Sequence, residues 1–327
     1  MAKSPLSRTE PEVGLLVYPG CQMSTVHGMI DLLTVASSFS SDQGGPHLYI
    51  STWHRHGDAF VRVDDAGNRD LPTFMIVPGR LSPPARPDEA APFVAWLRDL
   101  HEKGTTLVSS CNGAFLLAYA GLLNGRPATT HWQFANIFRD AFPDVQLDVD
   151  RIVIEDGDIL TAGGLMAWTD LGLRLVERTL GPGVMIETSK FMLLDPLGRE
   201  QRHYGKFLPR LSHGDSQILK AQVWLEKRNG RAATIVQMAE IAGLEERTFL
   251  RRFKVATGLK PTEYTQHLRI NRARDLLETT GETIDQVAWS VGYENTAAFR
   301  RVFHRLIGLS AGEYRNRFAS HGRSAIA

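Results

Sequence analysis

Phe249-Leu250-Arg251-Arg252-Phe253 recurs fifty positions later as Phe299-Arg300-Arg301-Val302-Phe303. The residues that follow each stretch repeat at the same offset: Gly258, Leu259 and Tyr264 in the first copy, and Gly308, Leu309 and Tyr314 in the second. Phenylalanines four positions apart lie on one face of a helix. The repeat therefore predicts two copies of one helical unit, each anchored by a phenylalanine pair.

A small residue and a glycine precede each phenylalanine pair. Ala239-x-x-x-Gly243 recurs forty-nine positions later as Ala288-x-x-x-Gly292. Alanine allows two helices to approach closely, and glycine permits a turn conformation that a Cβ atom would strain. A short helix, a glycine turn and a longer helix form a helix-turn-helix unit. Between the copies, residues 262–279 are predicted to form one helix of about 27 Å, which would space the two units along DNA.

The faces opposite the phenylalanines are predicted to contact DNA. They carry Arg247, Leu250 and Arg251 in the first copy, and Ala297, Arg300 and Arg301 in the second. Arginine suits both guanine edges and phosphates. Residues 212–327 contain 18 Lys and Arg against 12 Asp and Glu, a net charge of +6, whereas residues 1–211 contain 19 against 24, a net charge of −5. This split favours nucleic acid as the partner of the basic half. A helical bundle with solvated arginines is the alternative.

Short apolar runs alternate with helical patterns in the first two hundred residues. The predicted strands are 13–18, 48–53, 74–77 and 105–109, with a hairpin over 152–161, and the predicted helices are 26–37, 93–103 and 168–180. This alternation predicts an α/β doubly wound, flavodoxin-like domain over residues 1–194. A polar linker over 195–215, an all-α domain with two helix-turn-helix units over 216–320 and a tail over 321–327 are predicted to follow.

Composition excludes several classes of protein. The chain has 327 residues, 43% hydrophobic and 22% charged, which is typical of globular domains and argues against disorder. Its longest apolar run, Ala114 to Leu123, is too short to span a membrane. Cys21 and Cys111 cannot form a disulfide framework, and no secretory signal is apparent, so we expect a cytoplasmic protein. We expect no cofactor and no metal.

A reactive-residue pattern lies at a predicted strand-to-helix turn. Cys111-Asn112-Gly113 follows the run ending at Ser109, which is the pattern of a nucleophile elbow. A thiol at a helix N-terminus is expected to favour thiolate, and His131 is a candidate base or hydrogen-bond partner. A buried structural cysteine is the alternative.

The C-terminal stretches resemble the AraC/XylS family of DNA-binding domains over Gln217 to Phe318. The resemblance is carried by residues 238–244, 249–253, 287–293, 299–303 and 307–315. It implies a sequence-specific DNA-binding transcription regulator. The chain departs from the family at Glu245, where a Ser helix cap is usual, and at Ala311, where Pro is usual.

The N-terminal stretches resemble the ThiJ/PfpI domain, a relative of class I glutamine amidotransferases, over residues 12–190. The resemblance is carried by residues 111–118, 120–126, 129–132, 162–164 and 170–171. This domain followed by an AraC-type tail is similar to the GlxA-family regulators. Gly20 to Thr25 lacks the carboxylate that enzymes of the wider family use. The resemblance therefore implies a retired, non-catalytic site reused to bind an effector.

The resemblance and the expected strand ends together predict an effector site. Its candidate residues are Ser24, Cys111, Asn112, His131, Trp132 and Trp168. The effector is expected to be an amino acid or a quaternary amine, held by cation–π attraction. We expect an activator that acts as a homodimer with promoter DNA and RNA polymerase, and no membrane. Two alternatives remain: a cysteine hydrolase or amidotransferase using Cys111 and His131, and a thiol redox sensor.

Overall fold

The computed structural model describes residues 10–63, 70–195, 198–231 and 233–319. The chain folds as two compact units, Met1–Gln201 and Arg202–Ala327. The division falls inside the stretch 195–215 that the sequence pattern assigns to a linker. The predicted tail over 321–327 lies outside the described residues.

The first unit is built on a mostly parallel sheet. Its strands are β1 (Glu12–Val17), β2 (Tyr49–His56), β3 (Ala59–Arg62), β4 (Phe74–Val77), β5 (Thr106–Ser110), β6 (Pro127–Ala128), β7 (Gln146–Leu147), β8 (Val153–Asp156) and β9 (Ile159–Ala162). Within the described ranges, seven strands form one sheet in the order β3-β2-β1-β4-β5-β9-β8, and β6 pairs with β7. The inner strands are parallel, whereas β3 and β8 pair antiparallel at the edges. The predicted doubly wound α/β fold is confirmed.

Helices cover both faces of this sheet. They are α1 (Met23–Asp42), α2 (Pro87–Glu102), α3 (Ala114–Tyr119), α4 (Ala135–Ala141), α5 (Trp168–Leu180) and α6 (Pro182–Phe191). Successive strand residues point to opposite faces, so Met75 packs in the core with α2 and α3, while Ile76 packs in the core with α1 and α5. The expected hairpin over 152–161 is present as β8 and β9. The edge strand β3, which follows a turn at Gly57 (φ 61°), was not predicted because it is only four residues long.

The second unit is all helical. Its helices are α7 (Ser216–Lys227), α8 (Ile235–Ala242), α9 (Glu246–Thr257), α10 (Pro261–Thr279), α11 (Ile284–Ser290), α12 (Thr296–Ile307) and α13 (Ala311–Phe318). It contains two apolar cores: α7, α8, α9 and the N-terminal part of α10 form the first, and the rest of α10 with α11, α12 and α13 forms the second. The helix predicted between the copies is present as α10, and it is also the first helix of the second copy.

The repeat is therefore longer than the sequence pattern indicated. Buried Ile218, Ala221 and Leu225 on α7 recur fifty-two positions later as Ile270, Ala273 and Leu277 on α10. This offset differs from those of the downstream motifs because the turns of the two copies differ in length. Each copy is a three-helix unit.

Candidate nucleic-acid interface and effector site

Glycine turns and capped helices build the two helix-turn-helix units. Gly243 ends α8 in the left-handed conformation (φ 64°), and Gly292 adopts φ 86° after α11. A non-glycine residue would be strained at both positions. Thr234 caps α8 and Thr283 caps α11, each in a reciprocal capping box with a glutamine three residues later. The local chemistry predicted for the turns is present in both copies.

The second helix of each unit buries its phenylalanines and exposes its opposite face. The side chains of Phe249, Phe253, Phe299 and Phe303 are fully buried. All six residues predicted to contact DNA are exposed: Arg247, Leu250, Arg251, Ala297, Arg300 and Arg301. We call α9 and α12 the reading helices.

The arginines on the reading helices differ in their partners. Arg300 Nη2 donates to Asp285 Oδ1 at 3.0 Å. Within the described part of the chain, Arg247, Arg251 and Arg301 have no ion pair or hydrogen bond through their side chains. Unpaired surface guanidiniums are available for bases and phosphates.

The two reading helices also begin differently. Asn295 caps α12 by accepting from Ala298 N at 3.0 Å. Glu245 precedes α9, and its side chain makes no capping hydrogen bond. The departure from the family pattern at Glu245 therefore leaves α9 without a side-chain cap. The other departure, at Ala311, is accommodated because Ser310 caps α13 in a box with Glu313.

Cys111 occupies a strained turn directly after β5. Its φ is 52°, a left-handed value that is uncommon for a non-glycine residue and typical of a nucleophile elbow. The thiol is 1% exposed, and burial raises the pKa of Cys111 to about 11. Burial therefore opposes the thiolate that the position at a helix N-terminus was expected to favour.

His131 lies next to this turn without engaging the thiol. Its Nδ1 accepts from Gln133 N at 3.1 Å, and burial lowers its pKa. The link between the two segments is Thr130, whose hydroxyl donates to the Cys111 carbonyl at 2.8 Å. No nucleophile–base pair joins Cys111 and His131 among the described hydrogen bonds.

The remaining candidate effector residues have varied surroundings. Asn112 is buried, with its amide bonded to the backbone of Arg80 and Ser82. Exposed Ser24 accepts from Gln22. Trp168 packs against Gly28, where a Cβ atom would lie 2.4 Å from the indole ring. The Trp168 Nε1, Gln22 Oε1 and Thr25 Oγ1 atoms are buried and unpartnered within the described residues.

A cleft of about 490 Å³ opens beside these residues but is lined by others. Tyr18 and Phe93 form part of its wall, with rings in edge contact. Arg80 Nη1 lies 3.0 Å from Glu89, and Arg55 Nη2 lies 3.2 Å from Asp58. Arg80 Nε is buried without a partner in the described chain. Sequence reasoning missed this cleft because its residues come from four separated segments.

Sequence comparisons decide which proteins share this architecture. The DJ-1/PfpI family profile matches residues 58–178, and a helix-turn-helix domain profile matches residues 238–317. The chain is a transcriptional regulator with a DJ-1/PfpI domain and an AraC-type helix-turn-helix domain. The HTH-type transcriptional regulator CdhR of Pseudomonas aeruginosa is 28% identical over 311 residues, which is 92% of this chain and 90% of CdhR.

Two further relatives are regulators of the same kind. GlxA of Rhizobium meliloti is 29% identical over 68% of this chain and 69% of its own, and GbdR of Pseudomonas aeruginosa is 25% identical over 93% and 84%. These matches support the expectation that this regulator is not an enzyme. No helix of the described chain is long and apolar enough to cross a membrane. The same residues contain no cluster of metal-binding side chains.

Two nearby residues inside the segment predicted as a linker, Gln201 and His203, make hydrogen bonds in different units of this regulator. Buried Gln201 accepts from Trp132 N at 2.9 Å and donates to the carbonyl of Thr130 at 3.0 Å. Two residues later, His203 Nδ1 lies 2.6 Å from the carbonyl of Ile307, the last residue of α12. Arg202 is the one residue between Gln201, which bonds the backbone of Trp132, and His203, which bonds the last residue of α12.

Proposed function

We propose that this regulator activates transcription by reading promoter DNA with α9 and α12. The observation that carries the proposal is the division of each helix into a buried phenylalanine face and an exposed arginine face. The reading side chains are Arg247, Leu250, Arg251, Ala297, Arg300 and Arg301. A protein held on one site by two reading helices gains affinity from both.

Alanine substitution tests the reading helices. Arg251→Ala and Arg301→Ala should each cost roughly 1–3 kcal/mol of binding to the protein's own promoter site. The measurement is a gel-shift titration at fixed salt, on a fragment identified by genome-wide occupancy mapping. Arg272→Ala, an exposed arginine on α10, is the matched control and should leave the affinity unchanged. Unchanged affinity in both reading variants contradicts the proposal.

We propose further that a small-molecule effector binds the first unit. Two locations compete for it: the predicted residues Ser24, Cys111, Asn112, His131, Trp132 and Trp168, and the cleft at Arg80. An amino acid suits the cleft, because its carboxylate can bind Arg80 or Arg55 while its ammonium group binds Glu89. A quaternary amine suits a tryptophan wall.

Calorimetry with a panel of amino acids and quaternary amines separates the two locations. Loss of binding in Arg80→Gln places the effector in the cleft, and loss in Trp132→Ala places it at the predicted residues. No heat of binding from any member of the panel contradicts the proposed effector class.

Assembly and partners follow from the same proposal. Two protein copies on two half-sites require a homodimer, and activation requires RNA polymerase, both in the cytoplasm. Sedimentation of the free protein tests the first point: a monomer at micromolar concentration, with or without DNA, contradicts it.

A further inference from the structure

The helix α10 connects the two copies of the repeat and takes part in the apolar core of each. Its N-terminal part places Tyr264 and Leu268 in the first core, and its C-terminal part places Ile270 and Leu277 in the second. Arg269 lies between Leu268 and Ile270, where the helix passes from the first core to the second. A long side chain at this position can reach both copies.

The Arg269 guanidinium bridges a turn of the first copy and a turn of the second. Its Nε donates to the carbonyl of Gly230, in the loop between α7 and α8, at 2.8 Å. Its Nη1 donates to the carbonyl of Gly292, in the turn between α11 and α12, at 3.0 Å. The guanidinium is planar and presents its donors in a rigid fork, so the two carbonyls are held at one separation and one angle.

The two turns that the guanidinium joins lie close together. Gly230 adopts φ 68° and Gly292 adopts φ 86°, left-handed values that favour glycine. A Cβ atom on Gly230 would lie 2.9 Å from the Thr265 carbonyl oxygen, so this loop contacts the backbone of α10. A Cβ atom on Gly292 would lie 3.6 Å from the side chain of Arg231, which belongs to the loop of the first copy. The bridge therefore spans a direct approach of one copy to the other.

The same guanidinium contacts the core beneath the second reading helix. It lies over the ring of Tyr293, 5.5 Å from the ring centroid. The Tyr293 ring meets Phe299 edge to face at 5.5 Å, and buried Phe299 anchors α12. Burial lowers the pKa of Arg269, but a guanidinium keeps its charge at neutral pH, so both of its hydrogen bonds are charge-assisted. The position of α12 is thereby coupled to a loop of the first copy.

We propose that Arg269 is a positioning residue that fixes the spacing of the two reading helices. The inference rests on the proposed function, because this spacing matters only to a protein that reads one duplex with both copies. Each reading helix must reach its own major groove, so a fixed spacing requires one separation of the two half-sites. Without the bridge, the two copies should rotate against each other about α10, and the requirement should relax.

Promoter duplexes of altered spacing test the proposal. The full chain is titrated at fixed salt onto its promoter site and onto the same site with one base pair inserted between the half-sites. The insertion turns one half-site by about 35° relative to the other. It should weaken binding by the wild-type protein about a hundredfold, because the second reading helix loses its groove, and binding by Arg269→Met by only about tenfold. The ratio of the two affinities is the readout, because a general loss of stability would weaken binding to both duplexes alike.

Two further variants control this measurement. Arg269→Lys keeps the charge but not the fork, so its ratio should lie between those of the wild type and Arg269→Met. This variant also provides the test if Arg269→Met does not fold. Arg272→Met changes an exposed arginine on the same helix and should keep the wild-type ratio.

The outcomes separate the positioning role from the proposed function. A wild-type ratio in every folded Arg269 variant overturns the positioning role, and so does a wild-type protein that tolerates the insertion. An equal change in Arg272→Met also overturns it, because loss of any charge on α10 would then suffice. A wild-type protein that binds no duplex overturns the proposed function instead.

A distance measurement on the free protein tests the geometry without DNA. Spin labels are attached at Lys254→Cys on α9 and His304→Cys on α12, two exposed positions of the repeat, in a Cys21→Ser, Cys111→Ser background. Double electron–electron resonance should give a narrow distance distribution for this protein and a broader one after Arg269→Met. Equal widths overturn the positioning role, whereas broadening in a protein that binds no duplex overturns only the proposed function.

Discussion

Arg274 offers the most demanding test of how the second unit is held together. This side chain of α10 is 3% exposed, yet it carries a full charge. Its Nε donates to Tyr314 Oη at 2.8 Å, and its Nη2 donates to the carbonyls of His203 and Tyr204 at 3.2 Å. A further bond reaches the carbonyl of Gly205. One guanidinium therefore fastens the connecting segment and α13 to the second copy of the repeat.

Arg274→Met keeps most of the side-chain volume and removes every one of these bonds. Hydrogen bonds from a charged donor contribute about 1.5–3 kcal/mol each, but the Tyr204 and Gly205 carbonyls lie near solvent and can rehydrate. Tyr314 also donates to Glu278, which loses a nearby positive charge. We therefore expect the free energy of unfolding of the helical unit to fall by about 3–5 kcal/mol.

Urea unfolding followed by circular dichroism measures this loss. Gln222, at the equivalent position in the first copy, is a neutral amide that donates to Tyr264 Oη at 3.3 Å and to the Arg210 carbonyl at 3.0 Å, and its Oε1 lies 2.6 Å from His213 Nε2. Gln222→Met is the matched control, with a smaller expected loss of about 1–3 kcal/mol because the amide carries no charge. If Arg274→Met costs less than about 1 kcal/mol, or no more than the control, the guanidinium does not hold the segment and the reasoning fails.

Three further predictions concern single contacts. Asn295→Ala should lower the free energy of unfolding of the helical unit by about 1 kcal/mol, because it removes the cap of α12. Glu245→Ser should raise it by about 0.5–1 kcal/mol, because serine can supply the missing cap of α9. Changes of the opposite sign in urea unfolding would contradict both predictions. Because burial raises the pKa of Cys111, its thiol should contain on the order of a hundredfold less thiolate at pH 8 than a free cysteine. In the Cys21→Ser variant, alkylation of Cys111 by iodoacetamide should therefore be slow, and its rate should increase with pH up to about 11. Alkylation at the rate of a free cysteine would refute this. Gln201→Ala should expose the amide hydrogen of Trp132 to exchange at least about tenfold faster, and unchanged protection by mass spectrometry would show that the anchor is dispensable.

Periodic features of the fold could be predicted from the sequence. Phe249 and Phe299 recur in register, and short apolar runs such as 74–77 have the length and composition of buried parallel strands. Glycine at 243 and 292 marks turns for a local, steric reason. Each of these signals depends on residues close together in the chain, so no tertiary information is needed to interpret it.

Features that depend on distant contacts could not be predicted. Gln201 resembles an ordinary linker residue, and only the fold brings it to Trp132, sixty-nine positions away. Cys111 has the local sequence of a reactive thiol, but its ionisation depends on the atoms packed around it. The cleft at Arg80 joins segments that are separated in the chain. The division of the segment 195–215 between two units likewise follows from side-chain anchors and not from composition.

Hydroxyl-radical footprinting on a promoter fragment bound by the full chain tests the central claim most directly. Two reading helices that enter successive major grooves should protect two backbone segments about one helical turn, roughly 34 Å, apart. Arg301→Ala should weaken protection of one segment before the other, because Arg301 lies on α12 alone. A single protected segment, or a footprint that fades uniformly in this variant, would contradict a duplicated unit that reads DNA with both of its copies.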